Sequence, residues 1–399
     1  MKKVGLLIST LNSGGAERVV AHLSHILSQR YDVHVILFED TYLEYECGGT
    51  LHSLDVPARE GAPAPVKVQI LLRRVAALRR LIRREKLACV ISFMDSPNFV
   101  NLLTRVKGCR RIISIRNYSS LENSRSRLGR LTDMAMKLLY RGADHVVTVS
   151  GLIEKDFREN YHIPAERIST IFNPFHFDEI SRQGSEPLQE SERIFYDSRF
   201  VFLNVGRVVY QKGGWHLLRA FRAVHEAHPQ AGLVIVGEDW SEGKLTRLIS
   251  EMGLEDAVLL TGRTRNPWKY MANARCYVLS SLFEGFPNAL VEAMACGCPV
   301  VAADCCSGPR EILCESPDLS AAIREVTQAD YGLLVPALEP EENWSADGLT
   351  AGEEMLADAM ERMLLDSAYA SQASAQARER SRAFSYEACR LRYEKVIEG

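Results

Sequence analysis

No part of the 399-residue chain has about 18 uninterrupted apolar residues, the length that a membrane-spanning helix needs. The ten cysteines include no C-x-x-C pair, which argues against a zinc site or a redox motif. Most of them stand in apolar runs, where a reduced cysteine behaves as a small hydrophobic residue. We therefore predict inert thiols in a reducing compartment and a cytoplasmic protein.

The N-terminal segment MKKVGLLIST also lacks the features of a signal peptide. Its apolar run, 4–8, is shorter than the apolar region of a signal peptide, and two glycines followed by Glu17 and Arg18 interrupt the pattern. We interpret the segment as the first strand of the fold.

Charge is divided unevenly between the two halves of the chain. Residues 1–180 hold 26 Lys and Arg against 19 Asp and Glu, a net charge of +7, whereas the remainder carries −10. A basic first half predicts an anionic partner, such as anionic lipid or a phosphorylated acceptor. We predict no nucleic-acid partner.

Short apolar runs alternate with helical patterns through both halves. In the first half, strands are predicted at 4–9, 33–38, 88–93, 111–115, 145–150 and 168–172, and helices at 16–28, 66–85, 97–106, 127–140 and 152–160. In the second half, strands are predicted at 200–205, 233–236, 258–261, 276–279, 300–303 and 332–335, and helices at 213–228, 244–252, 287–295 and 349–365. Strands that alternate with helices favour parallel, doubly wound sheets.

Residues 173–199 show no periodicity, so we predict that they connect two domains of similar size. The predicted α/β architecture has one Rossmann-like domain at 1–180, a second at 181–384, and a final helix within 385–399 that packs back on the first. Residues 314–330 are interpreted as a loop insertion. Ligands of such sheets bind at the carboxyl ends of strands, so we predict a site in a cleft between two facing sheets.

Two short motifs follow predicted strands. S-G-G-A-E-R at 13–18 would allow a tight turn and an anion at the next helix start, although a plain turn explains it equally well. Arg207 and Lys212 follow the first strand of the second domain and could hold a diphosphate from two sides. Two ordinary solvated cations are the alternative.

The third motif, E-G-F-P-N-A-L-V-E-A-M-A-C-G at 284–297, is the most informative. Glu284 precedes a helix, and Glu292 lies eight residues on, inside an apolar helix where a carboxylate needs polar partners. Ligand hydroxyls would supply them. A helix cap explains one such glutamate but not both. The start of this helix favours an anion. Its backbone N–H groups belong to Phe286, Asn288, Ala289 and Leu290.

Together these motifs resemble the retaining, GT-B-fold glycosyltransferases of family 4, whose E-x7-E spacing is reproduced by Glu284 and Glu292. The resemblance covers essentially the whole chain. D-C-C-S-G-P-R-E-I at 304–312 and S-I-R-N at 114–117 resemble the bacterial branch that builds glycans on undecaprenyl diphosphate, in N-glycan, capsule or exopolysaccharide synthesis. This resemblance implies a hexosyltransferase that moves a hexose or N-acetylhexosamine from a UDP-sugar to a lipid-linked acceptor.

The resemblance also implies roles for single residues. Glu292 would bind the ribose, while Glu284, Arg207 and Lys212 would form the catalytic set, the first at the donor sugar and the two cations at its diphosphate. Further substrate-binding positions are Gly14, Gly15, Arg116, Asn117, Arg263, Gly285, Phe286, Asn288, Ala289 and Leu290. Of these, the first two would lie against the donor, Arg116 and Asn117 near the acceptor or a phosphate, and Arg263 at the base.

Two departures from common glycosyltransferase patterns matter. Many members of the family carry a histidine in the first-domain cleft, but His145, on a predicted strand, and His176, in the predicted connection, are interpreted as structural. The sequence has no D-x-D pair, the metal clamp of the other large glycosyltransferase fold. We therefore predict a metal-independent enzyme without a cofactor, in which Arg207, Lys212 and helix dipoles replace the metal.

The segment 66–86 predicts an amphipathic helix. Its apolar face would be buried, and Arg73, Arg80 and Arg84 fall on the opposite face, with Arg74 and Arg83 at the flanks. The apolar residues are Val68, Leu71, Leu72, Val75, Leu78 and Ile82. The basic face is either solvated, or it meets anionic headgroups or the acceptor's diphosphate. The second interpretation predicts a peripheral protein at the inner face of the plasma membrane.

Two other functions stay open at this point. One is a non-catalytic partner that binds a nucleotide sugar and assists another transferase. The other is a dinucleotide-dependent oxidoreductase, which the missing G-x-G-x-x-G motif disfavours.

Overall fold

The computed structural model describes residues 1–12, 14–59, 61–124 and 127–399. The chain forms two compact units, Met1–Phe175 with Tyr386–Gly399, and His176–Ser385. The sequence predicted domain boundaries after residues 180 and 384, and the two units of the structure divide after Phe175 and Ser385.

The first unit is built on one parallel sheet. Its elements in chain order are β1 (Lys3–Ile8), α1 (Gly15–Ser28), β2 (Asp32–Leu37), β3 (Thr50–Ser53), α2 (Ala64–Glu85), β4 (Cys89–Phe93), α3 (Asp95–Leu103), β5 (Arg110–Ile115), α4 (Ser119–Ser124), α5 (Arg127–Leu139), β6 (His145–Thr148), α6 (Gly151–Asn160) and β7 (Ile168–Thr170). The strand order is β3-β2-β1-β4-β5-β6-β7, and every neighbouring pair is parallel. The chain moves outward from β1 in both directions, which makes the sheet doubly wound as predicted.

The second unit repeats this plan. Its elements are α7 (Phe177–Gly184), α8 (Glu190–Asp197), β8 (Phe200–Val205), α9 (Gly214–Ala227), β9 (Ala231–Val236), α10 (Lys244–Glu251), β10 (Val258–Gly262), α11 (Trp268–Asn273), β11 (Cys276–Leu279), α12 (Asn288–Ala295), β12 (Val300–Ala303), α13 (Pro309–Leu313), β13 (Thr327–Ala329), β14 (Gly332–Val335), α14 (Ala351–Leu365) and α15 (Ser367–Ser381). The order is β10-β9-β8-β11-β12-β14-β13, parallel except for β13, which runs antiparallel to β14.

The last helix, α16 (Tyr386–Glu398), belongs to the first unit. It buries Cys389, Tyr393 and Ile397 in one hydrophobic core with β1 and α1. Lys2 Nζ also donates to the carbonyl oxygen of Ile397 at 2.8 Å, so the helix is tied to the start of the chain.

The interpretation of residues 173–199 as a connection without periodic structure is wrong, because α7 and α8 lie within it. Both helices have only eight residues and pack within the second unit, where Ile180 and Tyr196 are buried. The side chains of Gln189 and Glu192 form a reciprocal capping box at the start of α8. The sequence pattern was too short and too polar to indicate these helices.

The predicted buried face of α2 is correct only for its second half. Val75, Leu78 and Ile82 are buried, but Val68 and Leu72 are 54% and 62% exposed. Arg74, which was predicted at the flank of the solvent face, is buried instead. Its Nε donates to the carbonyl oxygen of Val56 at 2.9 Å, and its guanidinium lies 3.8 Å from the centroid of the Phe38 ring. Cation–π contact and a satisfied donor make this burial tolerable.

All ten cysteines lie in the described part of the chain, and all are free thiols. Burial raises the pKa of the Cys109 thiol to about 11 and that of Cys89 to about 12. Thiolate is the reactive form, so these two groups are poor nucleophiles at neutral pH. Across the described ranges, no helix is long and apolar enough to cross a bilayer.

Candidate active site

The segment Lys212-Gly213-Gly214 turns the chain sharply between β8 and α9. Gly213 has φ +58, and a Cβ on it would lie 2.3 Å from the carbonyl oxygen of Ser280. A side chain here would therefore clash with backbone, and the positive φ also favours glycine. The close approach places Lys212 directly beside the end of β11.

Hydrogen bonds join this turn to the loop that follows β11. Ser280 Oγ donates to the carbonyl oxygen of Lys212 at 2.9 Å, and the Leu282 N–H donates to the carbonyl oxygen of Gln211 at 2.8 Å. Gln211 Nε2 donates to the carbonyl oxygen of Phe283 at 2.9 Å. These hydrogen bonds join the two predicted motifs at the carboxyl ends of the neighbouring strands β8 and β11.

Lys212 and Glu284 form the central ion pair of this site. Lys212 Nζ lies 2.5 Å from Glu284 Oε1, and Ser281 Oγ donates to the same oxygen at 2.7 Å. Glu284 is only 7% exposed, so the pair is screened little by solvent. The second carboxylate oxygen, Glu284 Oε2, accepts a longer hydrogen bond from Gln211 Nε2 at 3.5 Å.

The segment 304–312 forms hydrogen bonds with the backbone of Glu284 and Gly285. The Glu284 N–H donates to the carbonyl oxygen of Cys306, and the Ser307 N–H donates to the carbonyl oxygen of Glu284, both at 2.8 Å. Ser307 Oγ also donates to the carbonyl oxygen of Gly285 at 2.8 Å. A Cβ on Gly308 would lie 2.6 Å from Pro287. The motif D-C-C-S-G-P-R-E-I, which resembles the undecaprenyl-diphosphate branch of the family, therefore also stabilises the loop that carries Glu284.

Glu292 lies in α12 and is 3% exposed. Burial, with the negative charges of Glu284 and Glu292, raises the pKa of the Tyr277 hydroxyl. This hydroxyl has no hydrogen-bond partner within the described residues. The sequence did not single out Tyr277, because a tyrosine in an apolar strand usually indicates a core residue.

At the N-terminus of α12, the Leu290 N–H donates to the carbonyl oxygen of Pro287 at 3.0 Å. The role of Leu290 in substrate binding stays a prediction. The helix has no side-chain cap at Pro287. Roles for Gly285, Phe286, Asn288 and Ala289 stay predictions.

Arg207 is exposed at the end of β8, and its guanidinium lies 5.1 Å from the centroid of the Trp240 ring. Trp240 was not predicted as a site residue. Arg263 is exposed in the loop after β10. Nearby Asn266 contacts α7, since its Nδ2 donates to the carbonyl oxygen of Gln183 at 2.8 Å.

In the first unit, Gly14 caps α1, and Ser13 of the predicted motif lies outside the described residues. A Cβ on Gly14 would lie 2.1 Å from Glu17 Oε2, so a carboxylate already occupies the space at this helix start. Because this carboxylate ends a flexible side chain, the close approach alone does not require a glycine here. The contact of Gly14 and Gly15 with a donor stays a prediction.

Arg116 lies at the end of β5, where its Nη2 donates to Asn173 Oδ1 at 2.6 Å. Burial lowers the pKa of Arg116, and the groups near it include Tyr393, Cys389 and Glu17. The hydrogen bond to Asn173 is thus the contact that holds this arginine. Asn117 is half-buried beside it.

The two histidines considered from the sequence have structural contacts. His145 Nε2 and Ser169 Oγ lie 2.9 Å apart between β6 and β7. His176 Nδ1 accepts from the Glu179 N–H at 3.1 Å and so caps α7.

The basic face of α2 is exposed at Arg73, Arg80 and Arg84. The last two line a cavity of about 700 Å³ beside β3, together with Asp40 and Asp55. Arg84 Nε also lies 2.8 Å from Glu85 Oε1. Acidic groups therefore offset part of the positive charge at this end of the helix.

Comparison with known proteins decides the family. The family model described as Glycosyl transferases group 1 matches residues 186–319, and the model described as Glycosyltransferase Family 4 matches residues 13–179. Over 317 residues the chain is 33% identical to the N-acetylgalactosamine-N,N'-diacetylbacillosaminyl-diphospho-undecaprenol 4-alpha-N-acetylgalactosaminyltransferase of Campylobacter jejuni, which spans 78% of this chain and 83% of that protein. The chain belongs to glycosyltransferase family 4. A second relative of this glycosyltransferase is an uncharacterised glycosyltransferase of Methanocaldococcus jannaschii, 31% identical over 340 residues, 82% of this chain and 84% of that protein.

Solved structures show the same fold for this glycosyltransferase. Sucrose-phosphate synthase from Thermosynechococcus elongatus has a TM-score of 0.77 at 20% identity and covers 100% of this chain and 98% of its own. HepE of Anabaena, solved with UDP-glucose, has a TM-score of 0.73 at 17% identity, with 100% of both chains covered. The predicted GT-B architecture, with two parallel-sheet α/β domains, is confirmed.

Proposed function

We propose that this glycosyltransferase moves a hexose or N-acetylhexosamine from a UDP-sugar to a glycan on undecaprenyl diphosphate, with retention and without a metal ion. The ion pair of Lys212 and Glu284, with Arg207 on the neighbouring loop, is the observation that carries this proposal. Two similar proteins also support the proposal. The Campylobacter relative is named for transfer to a diphospho-undecaprenol acceptor, and the structure of HepE contains UDP-glucose. Membership of the family disfavours the oxidoreductase.

In the proposed reaction, the bond between the anomeric carbon and the donor's β-phosphate oxygen breaks, and a bond to the acceptor oxygen forms on the same face. Lys212 and Arg207 stabilise the negative charge that develops on the departing diphosphate. That diphosphate takes the proton of the acceptor hydroxyl, and UDP leaves. Glu284 orients Lys212 and the donor sugar. No second carboxylate at glycosidase-like placement is required.

The first prediction separates an enzyme from a non-catalytic partner. Purified protein incubated with a panel of UDP-hexoses and UDP-N-acetylhexosamines is expected to release UDP slowly from one or two of them, because water replaces the missing acceptor. The rate is expected to be unchanged in EDTA, since protein cations neutralise the diphosphate. UDP release is measured by a coupled assay. Binding without any release would support the partner function, and strict dependence on a divalent cation would contradict the metal-free reaction.

The lipid-linked acceptor would require contact with a membrane surface. Besides the arginines of α2, the first unit has an apolar stripe on α5, formed by Leu131, Met134 and Leu138, which are 63%, 67% and 78% exposed. Their spacing places them on one side of the helix. Arg130 and Lys137 are exposed on the same helix, although Lys137 Nζ lies 2.8 Å from Asp133 Oδ2. Apolar side chains flanked by cations are typical of helices that lie in a lipid interface.

The second prediction tests this contact on vesicles of phosphatidylglycerol and phosphatidylcholine. Changing Arg73, Arg80 and Arg84 to Glu is expected to lower binding by at least about 100-fold, since each lost cation contributes about 1 kcal/mol at an anionic surface and each new carboxylate is repelled by it. Changing the α5 stripe to Ser is expected to weaken the binding that remains at high salt. Cosedimentation measures both.

The matched control is Leu365→Ser, which removes a leucine of similar exposure, 63%, from the second unit. It is expected to sediment like the parent, and UDP release is expected to survive in every variant. If the parent does not sediment, or if the variants sediment equally with it, the membrane contact is wrong.

A further inference from the structure

We propose that Trp240 is a positioning residue that holds Arg207 ready for the donor's diphosphate. The inference rests on the proposed function, because it assigns Arg207 the same ligand. It concerns a tryptophan that is 55% exposed beside a strand end, where a side chain of this size buries little surface and is not needed for the core.

The backbone brings the two residues together. Beyond the last paired residues of β8 and β9, the Val208 N–H donates to the carbonyl oxygen of Glu238 at 2.9 Å, and the Trp240 N–H donates to the carbonyl oxygen of Val208 at 3.1 Å. A Cβ on Gly237 would lie 2.0 Å from the carbonyl oxygen of Gly206. The two loops are therefore in backbone contact, and this contact fixes Trp240 beside Arg207.

The side chains then stack. The guanidinium carbon of Arg207 lies 5.1 Å from the centroid of the Trp240 ring, within cation–π range. In the part of the chain that the structure describes, the guanidinium of Arg207 forms no hydrogen bond and no ion pair, and only its backbone carbonyl accepts, from the Val209 N–H at 3.0 Å. Its N–H donors are thus available for phosphate oxygens, and the ring limits the rotamers of a long and otherwise mobile side chain.

Lys212, the other cation proposed for the diphosphate, is also a long side chain, and a different contact orients it. Lys212 runs past Gly206, where a Cβ would lie 3.2 Å from its Cε, and it is held by Glu284. Each of the two cations proposed for the diphosphate therefore has its own anchor, a carboxylate for the lysine and an indole for the arginine. Only the carboxylate was indicated by the sequence motifs.

The experiment measures binding of UDP, UMP and uridine by calorimetry to the parent, Trp240→Phe, Trp240→Leu, Arg207→Met and the Trp240→Leu/Arg207→Met double variant. Trp240→Leu is expected to weaken UDP binding about two- to fivefold, as loss of an exposed cation–π contact implies. The effect on uridine is expected to be absent. Trp240→Phe should retain most of the affinity, and in the Arg207→Met background Trp240→Leu should have no further effect.

The outcomes separate this inference from the proposed function. Absence of UDP binding by the parent would overturn both. UDP binding that weakens in Arg207→Met but not in Trp240→Leu would overturn the positioning role alone. An equal loss for uridine that persists without Arg207 would assign Trp240 to stacking on the base and would also overturn it. In turnover assays, the positioning role predicts a lower kcat/KM for the donor in Trp240→Leu, which includes a lower kcat because Arg207 acts on the departing diphosphate, and near-parent values in Trp240→Phe.

Discussion

Replacing Lys212 with Met is expected to slow sugar transfer on the order of 100-fold, the typical effect of removing one preorganised charge from a transition state. Lys212 Nζ lies 2.5 Å from a glutamate that is 7% exposed, so its charge acts where solvent screening is weak. The developing charge on the diphosphate would lose this cation. Steady-state kinetics with saturating donor and acceptor measure the change in kcat.

Loss of Lys212 also leaves Glu284 buried without its ion-pair partner, which destabilises the loop. The double variant Lys212→Met/Glu284→Gln removes both charges and is expected to recover thermal stability but not turnover. Lys244→Met is a matched control, since Lys244 Nζ lies 2.9 Å from Glu342 Oε1 in a half-exposed pair outside the site. If the double variant regains activity, Lys212 acts only through folding and its catalytic role is wrong.

Replacing Glu292 with Ala is expected to weaken donor binding ten- to 100-fold with a smaller effect on kcat. A charge-assisted hydrogen bond contributes roughly 1.5–3 kcal/mol, and the proposed bonds to the ribose are present before and during the reaction. Calorimetry with UDP and with 2′,3′-dideoxy-UDP isolates the ribose. The parent should bind the dideoxy compound more weakly, whereas Glu292→Ala should bind both equally.

Glu192→Gln is the control for changing a buried carboxylate in the same unit. Glu192 is 8% exposed and accepts from the Tyr270 hydroxyl at 2.5 Å, away from the proposed site. This variant is expected to keep the donor affinity of the parent. A Glu292→Ala variant that still discriminates between the two nucleotides would contradict the assignment of Glu292 to the ribose.

The fold was predictable where its strands are buried on both faces. Strands such as β4 and β9 are buried along their whole length and appear as continuous apolar runs in the sequence. The edge strands β3 and β13 were missed because they have only four and three residues and are partly exposed. An edge strand with a solvent-exposed face has no continuous apolar run in its sequence. It forms because it pairs with a neighbouring strand of the folded sheet.

The sequence motifs predicted which residues belong to the site, but not which of their side chains contact one another. Lys212 and Glu284 stand 72 residues apart, and no local pattern indicates that they pair. Ser281 and Gln211, which hold the pair and its loops together, look like ordinary loop residues in the sequence. The sequence offered one signal for Trp240, which is an indole in the loop four residues after the end of β9.

The anomeric configuration of the product tests the central claim most directly. An α-linked UDP-sugar from the hydrolysis panel is incubated with the protein and an undecaprenyl-diphosphate-linked glycan, and the new glycosidic bond is assigned by NMR. Transfer guided by Lys212, Arg207 and a same-face diphosphate predicts an α-linked product and one UDP per bond formed. A β-linked product would contradict retention, and an acceptor that remains unmodified while UDP is released would contradict the proposed acceptor.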